Sequence, residues 1–418
     1  MKKYTLLLPL ITAASFSHAG EPSPNETTTT PDAFKAITPT FDLRTRFEFR
    51  DQAGLDASHA WTTRARVGLK TADFSGFSAF VEAEATATFV DDFASNPAGN
   101  PSTDPFVPGN TVISDPENFE LNRAWVQYNQ NGFLAKVGRQ RIIRNNAAFI
   151  GNVGWRQNEQ TFDAIQLGYK NDAFSISYAY SDRVLRIFGD DANDANFPGD
   201  GPPLRDFEGD FHFLDASYKF DGAELGGYVY LIDVDNNTNV GESNTVGAFY
   251  KNKGLHVEFA YQDGESALFS GGDYDALYGH VYYSHKIGKS SLTLGVEYLE
   301  EGFKTPLATV HAFNGYADAF VLQRIGLSNS GGNFEGITDI YLKYKQSGIL
   351  GNMTFKSSLH YFLDDSLSNS YGYEADAVLI KPINENLKAI LKAAYFQADS
   401  EGPFSDIKQV SVELNYTF

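Results

Sequence analysis

The chain has no cysteine, two methionines and eight histidines in 418 residues. Absence of cysteine excludes a disulfide scaffold, thiol catalysis and cysteine-bound metal. No apolar run is long enough to cross a bilayer as a helix; the longest, over 6–16, lies at the extreme N-terminus. Basic residues are also in deficit. Lys and Arg number 33 against 53 Asp and Glu, a net charge of −20, which argues against nucleic-acid binding. No HExxH and no glycine-rich phosphate loop occurs, and no histidine has a serine or carboxylate beside it in a triad pattern. A catalytic barrel, such as a phospholipase or protease, is therefore the weakest reading, and no cofactor is expected.

Lys2 and Lys3, the apolar run and Ser17-His18-Ala19 read as a secretory signal peptide over 1–19. The following segment, 20–37, is rich in Thr and Pro and reads as disordered.

What the chain has in abundance is aromatic residues, 23 Tyr and 34 Phe, set in strict alternation. Phe41, Leu43, Thr45, Phe47 and Phe49 alternate with Asp42, Arg44, Arg46, Glu48 and Arg50. Trp61, Thr63, Ala65, Val67 and Leu69 alternate with Thr62, Arg64, Arg66 and Lys70. Successive side chains of a strand point to opposite faces, so each segment has one apolar and one charged face. About eighteen such segments follow one another, most near the length that crosses an outer membrane. Their connections sort by parity. Every second one is a short turn rich in Gly, Asn or Asp, and all the long loops (91–119, 145–160, 182–212, 300–335) fall in the other set. The fold predicted over 38–418 is all-β, a transmembrane antiparallel β-barrel of about 18 strands. It has short periplasmic turns and long extracellular loops in the bacterial outer membrane. Tyr128, Tyr169, Tyr298, Tyr395 and Tyr416 fit interfacial girdles. The last strand ends on Phe418, like the terminal aromatic of outer-membrane barrels. Its partners are then outer-membrane lipid, lipopolysaccharide and the assembly machinery.

A barrel of this size holds an aqueous channel, so selectivity rests on lumen charges. Ten of fourteen arginines lie between Arg44 and Arg156, and none follows Arg324. Arg44, Arg46, Arg64, Arg66, Arg123 and Lys136, with Arg139 or Arg141, are expected on the inward face as a basic stripe. Glu82, Glu84 and Asp163 also point inward and pair with some of them. A bulge is expected within 137–141, where one extra residue would flip the register. Loop 145–160 either packs outside or folds into the lumen. Folded in, it offers Trp155 as a sugar-stacking platform and Arg144 and Arg156 as anion contacts. The acidic loop 190–210 has oxygen ligands in the density Ca²⁺ uses, but not the spacing of a calcium loop, and a solvated loop is the plainer reading.

The segments LNRAWVQY, KVGRQRI and FIGNVGWRQNEQTFDA resemble bacterial outer-membrane proteins of the alginate-export type, most clearly over 41–188. The resemblance implies an eighteen-stranded barrel with an electropositive pore for a uronate polymer. The expected function is a channel for anionic solutes such as acidic saccharides. The alternatives are a general diffusion porin and a structural or adhesion barrel acting through its long loops.

Overall fold

A computed structural model describes residues 37–96, 104–189, 192, 205–328, 330 and 333–418. The signal peptide expected over 1–19 and the soft segment after it lie outside the described residues, except Ile37, which opens the first strand. Eighteen strands follow in order. They are β1 (Ile37–Gln52), β2 (Ser58–Thr71), β3 (Phe77–Asp92), β4 (Asn118–Gln130), β5 (Phe133–Gln140) and β6 (Thr161–Lys170). Next come β7 (Phe174–Leu185), β8 (Asp206–Phe220), β9 (Ala223–Val234), β10 (Glu242–Asn252), β11 (Leu255–Glu265) and β12 (Asp273–Ile287). The last six are β13 (Ser290–Leu299), β14 (Ile337–Ile349), β15 (Met353–Leu363), β16 (Ser370–Pro382), β17 (Leu387–Ala398) and β18 (Ile407–Thr417). Each pairs antiparallel with the next, and β1 pairs with both β2 and β18, which closes the barrel. Closure leaves no sheet edge, and that is what hydrocarbon requires of a spanning sheet.

The expected alternation holds around the wall. Phe47, Val67, Val137, Ile165, Leu294 and Val412 are exposed on the outer face. Their in-register neighbours Glu48, Arg66, Glu413 and Ser411 are buried on the inner one. An apolar belt of this extent is stable only against lipid. The short turns carry the backbone the sequence announced. Asn131 and Gly132, then Asp221 and Gly222, take positive φ in succession, the geometry of a tight hairpin turn.

Inside the wall the lumen is not empty. Loops 145–160 and 300–328 fold inward and pair with each other. Ile150 bridges to Leu307, and Gly151 N donates to the Leu307 carbonyl at 2.8 Å. The largest apolar cluster therefore lies within the barrel, between these loops and the wall. Phe149 packs on Tyr228, Tyr278 and Phe303. Phe320 packs on Phe362, Phe396 and Phe404. The two phenylalanines anchor one loop each.

Of the acidic loop, Asp190, Asp191, Asp194 and Asp200 lie outside the described residues, whereas Asp206 opens β8 and pairs with Arg183.

Phe149→Ala combined with Phe320→Ala is expected to remove about 3–5 kcal/mol of packing at each site. Planar-bilayer recordings should show increased conductance while the barrel still assembles. Unchanged conductance would mean that the inward loops do not narrow the path.

Candidate functional site

The arginine stripe is a docking cradle for loop 145–160. β1 and β2 present alternate side chains to the lumen, and four arginines reach the loop's carbonyl oxygens. Arg44 Nη1 donates to the carbonyls of Gly154 at 3.1 Å and Arg156 at 2.9 Å. Arg46 donates to the carbonyl of Trp155. Arg64 and Arg66 reach the carbonyl of Gln157 at 3.4 and 3.5 Å. The loop answers with a charge of its own. Glu159, fully buried, accepts from Arg141 at 2.5 Å and Asn122 at 2.8 Å and lies 3.6 Å from Arg66. Burial alone would raise its carboxyl; the guanidinium groups of Arg66 and Arg141 outweigh burial and hold it at about 2. Arg156 is buried among Glu48 at 3.1 Å, Asp115 at 3.7 Å and Asp318 at 3.8 Å. Burial lowers its pKa, yet these three carboxylates push it above its usual range.

The other arginines are paired as well. Arg46 lies 2.6 Å from Glu413, Arg64 pairs with Asp42, and Arg66 pairs with Glu84. Arg123 takes Glu82 in a two-pronged contact at 2.8 and 2.7 Å. Arg144, turned toward β8, lies 3.1 Å from Asp215. Lys136 sits 4.3 Å over the ring of Trp125. Arg44, Arg46, Arg50, Arg64, Arg66, Arg123, Arg141 and Arg156 thus face Asp42, Glu48, Glu82, Glu84, Asp115, Glu159, Asp318 and Glu413, arginines and carboxylates in equal number, with Lys392 beside them.

Three expectations are corrected. Arg139 and Asp163 do not line the pore. They pair with each other at 2.8 Å in the phase of Val137 and Ile165, which face outward, while Gln140 and Phe162 take the inward positions. The bulge expected within 137–141 is not there. Register is continuous on both sides of β5, and the shifts occur at Glu82/Ala83 and Asp163/Ala164 instead. The local irregularity is Gly138, whose positive φ brings its α-carbon against the Ala124 carbonyl, where a side chain would collide. Trp155 is not a free platform. His311 stacks on it at 4.0 Å, the Arg46 guanidinium lies 4.2 Å from the ring centroid, and the Lys392 ammonium also sits over the ring.

His311 ties the second inward loop to this centre. It bonds Asp318 at 3.1 Å and also faces Arg156 and Lys392. Burial pushes its pKa down to about 4 despite Asp318.

Lys136, expected inward, and Lys70, placed on the charged face, belong to a larger set of lysines that sequence reasoning otherwise passed over. With Lys170, Lys219, Lys251, Lys286, Lys343, Lys345, Lys356, Lys388 and Lys392 they all share the inward phase. All but Lys343 and Lys392, which sit midway along β14 and β17, lie close to the periplasmic ends of their strands. Among the described residues none of them is within ion-pair distance of a carboxylate, in contrast to most of the arginines; Arg50 and Arg186 are held instead by the Gln409 amide oxygen and the Pro306 carbonyl. Alternation made them readable; weighing arginine alone hid them. Beside them a cleft of about 330 Å³ is lined by Lys70, Arg123 and Arg141, by the carboxylates Asp42 and Glu82, and by Phe80 and Trp125.

Acidification should loosen the docked loops in two stages. Released His311 takes up a proton near its ordinary 6.5 that the docked form refuses until about 4, so docking weakens as pH falls through that window. Glu159 contributes its stabilisation above its ordinary 4.5, and that is lost as pH falls toward 2. Conductance recorded from pH 7 to pH 3 should rise first between 6.5 and 4, and His311→Phe should abolish this first stage alone. Arg139→Ala, on the outer face, should leave ion selectivity unchanged in the same recordings.

The fold has solved counterparts. OpdK of Pseudomonas aeruginosa superposes with a TM-score of 0.60 at 12% identity, covering 91% of this chain and 99% of that one. OccK2 (OpdF) of the same organism gives 0.62 at 13%, covering 92% and 98%. OccAB2 of Acinetobacter baumannii gives 0.62 at 15%, covering 91% and 98%. At these identities the likeness concerns the fold alone, a closed outer-membrane β-barrel. No curated protein sequence matches the chain. Residues 37–183, from the start of β1 almost to the end of β7, match the family model described as alginate export, which bears out the resemblance read from those strands.

Proposed function

We propose that this outer-membrane barrel is a passive channel that draws anions, acidic saccharides of the uronate class in particular, into its lumen. The observation that carries this reading is the set of inward lysines free of carboxylate partners near the periplasmic ends of the strands. In a low-dielectric wall such charges attract counter-ions over distances that paired charges do not. The arginines then have two parts. Most hold the loop, while Arg123 and Arg141, which keep 19% and 31% of their side chains exposed, contact solute from the cleft they share with Lys70, where cations outnumber carboxylates by one. Trp125 and Phe80 pack at the base of that cleft, under the Lys136 ammonium at 4.3 Å and the Arg123 guanidinium at 4.6 Å, and hold those cations in place. The match of the first seven strands to the alginate-export family supports a uronate as the anion. Lipopolysaccharide around the belt and the assembly machinery at the C-terminal strand complete the proposed partners.

A general diffusion porin is the second reading. The equal number of arginines and carboxylates around loop 145–160 favours it, since a constriction close to neutral selects little by sign.

Reversal potentials in a salt gradient distinguish the two. The lysine reading predicts anion preference, reduced or inverted by Lys343→Glu, Lys345→Glu and Lys356→Glu together, and block by uronate oligomers. Cation preference, or selectivity indifferent to these substitutions, would contradict it.

A further inference from the structure

We propose that the lumen wall carries a transition-metal site formed by His256, Glu258 and His280, of the chemistry that takes Zn²⁺. His256 and Glu258 are two residues apart on β11 and therefore share its inner face. Glu258 is the direct cross-strand partner of His280 on β12. Register alone thus brings two imidazoles and a carboxylate to one spot. One ligand atom from each lies within 4.8 Å of the others.

The surroundings are those of a site and not of a chance cluster. All three side chains are buried, with 2%, 1% and 4% of their surface exposed. His256 Nε2 and Glu258 Oε2 lie 2.9 Å apart. The remaining carboxylate oxygen accepts from the Tyr228 hydroxyl at 2.8 Å. His280 Nε2 meets the Tyr341 hydroxyl at 2.8 Å, and the ring of Tyr282 stacks on His256 at 4.7 Å. Such outer partners fix ring orientation and tautomer around a bound metal. Meanwhile His256 Nδ1 and His280 Nδ1 are both buried without a hydrogen-bond partner. An unpaired buried nitrogen is costly, and a metal ion is one group that satisfies it.

Two imidazoles and one carboxylate suit Zn²⁺ and leave a fourth position for water or a solute oxygen. The bound ion would offset the Glu258 charge and leave the wall positive at this point. The site is independent of the lysines and of the solute's identity.

The test uses full-length folded protein in detergent, stripped with a chelator and titrated with ZnCl₂. Calorimetry and elemental analysis should give about one equivalent per chain. His280→Ala and Glu258→Gln should each weaken binding about tenfold or more, while His285→Ala, on the outer face, should not. Co²⁺ in place of Zn²⁺ should give the intense visible absorption of a four-coordinate site. Heat-modifiable migration checks that each variant is folded, and the Co²⁺ spectrum of the unaltered protein decides the matter if a variant is not. Clearly substoichiometric Zn²⁺, binding indifferent to His280 and Glu258, or a pale octahedral Co²⁺ spectrum would overturn the proposal.

Discussion

Capture of loop carbonyls by wall arginines is the interaction on which the interior depends. A loop folded into a lumen brings backbone oxygens that have lost water and need donors. Arg44, Arg46, Arg64 and Arg66 supply them along residues 154–157. The dependence is mutual. Without the loop, Arg66 and Arg141 lose Glu159, and Arg156 no longer meets Glu48 and Asp115. Removing one member of a buried ionic set costs several kcal/mol, about 3–5, because its partner is left as an uncompensated charge.

This division of labour follows from side-chain chemistry. The planar guanidinium offers five donors in a fixed fork, suited to holding carbonyls and carboxylates in place. The ammonium of lysine is a compact charge on a flexible stem. Here the arginines are spent on structure in the extracellular part of the lumen, and the lysines stay available near the periplasmic ends.

The fold was legible almost completely, because strand alternation and loop parity are local patterns with a direct physical cause. All eighteen expected segments are strands, and the turn at Asn131-Gly132 has the predicted geometry. The site was legible in part. Arg44, Arg46, Arg64, Arg66, Glu82 and Glu84 face inward as alternation requires. Arg139 was misplaced because register depends on hydrogen bonding across strands, not on the residue types within one. The occupation of Trp155 by His311, from a loop more than 150 residues away, is a tertiary contact with no local sign. Asp115 and Asp318, which complete the cradle, are likewise loop carboxylates indistinguishable in sequence from solvated ones.

Loop 145–160 is held inside the barrel by these contacts as a fixed part of its interior. The absence of native cysteine makes a cross-link the most direct measurement. Gln157 Nε2 donates to Thr62 Oγ1 at 2.9 Å, joining the loop to β2. With cysteine at both positions, a short bis-methanethiosulfonate reagent, long enough to replace the glutamine side chain, should join them readily in the membrane and leave conductance unchanged. Failure to cross-link, or a large change in conductance on closing the cross-link, would contradict a permanently docked loop.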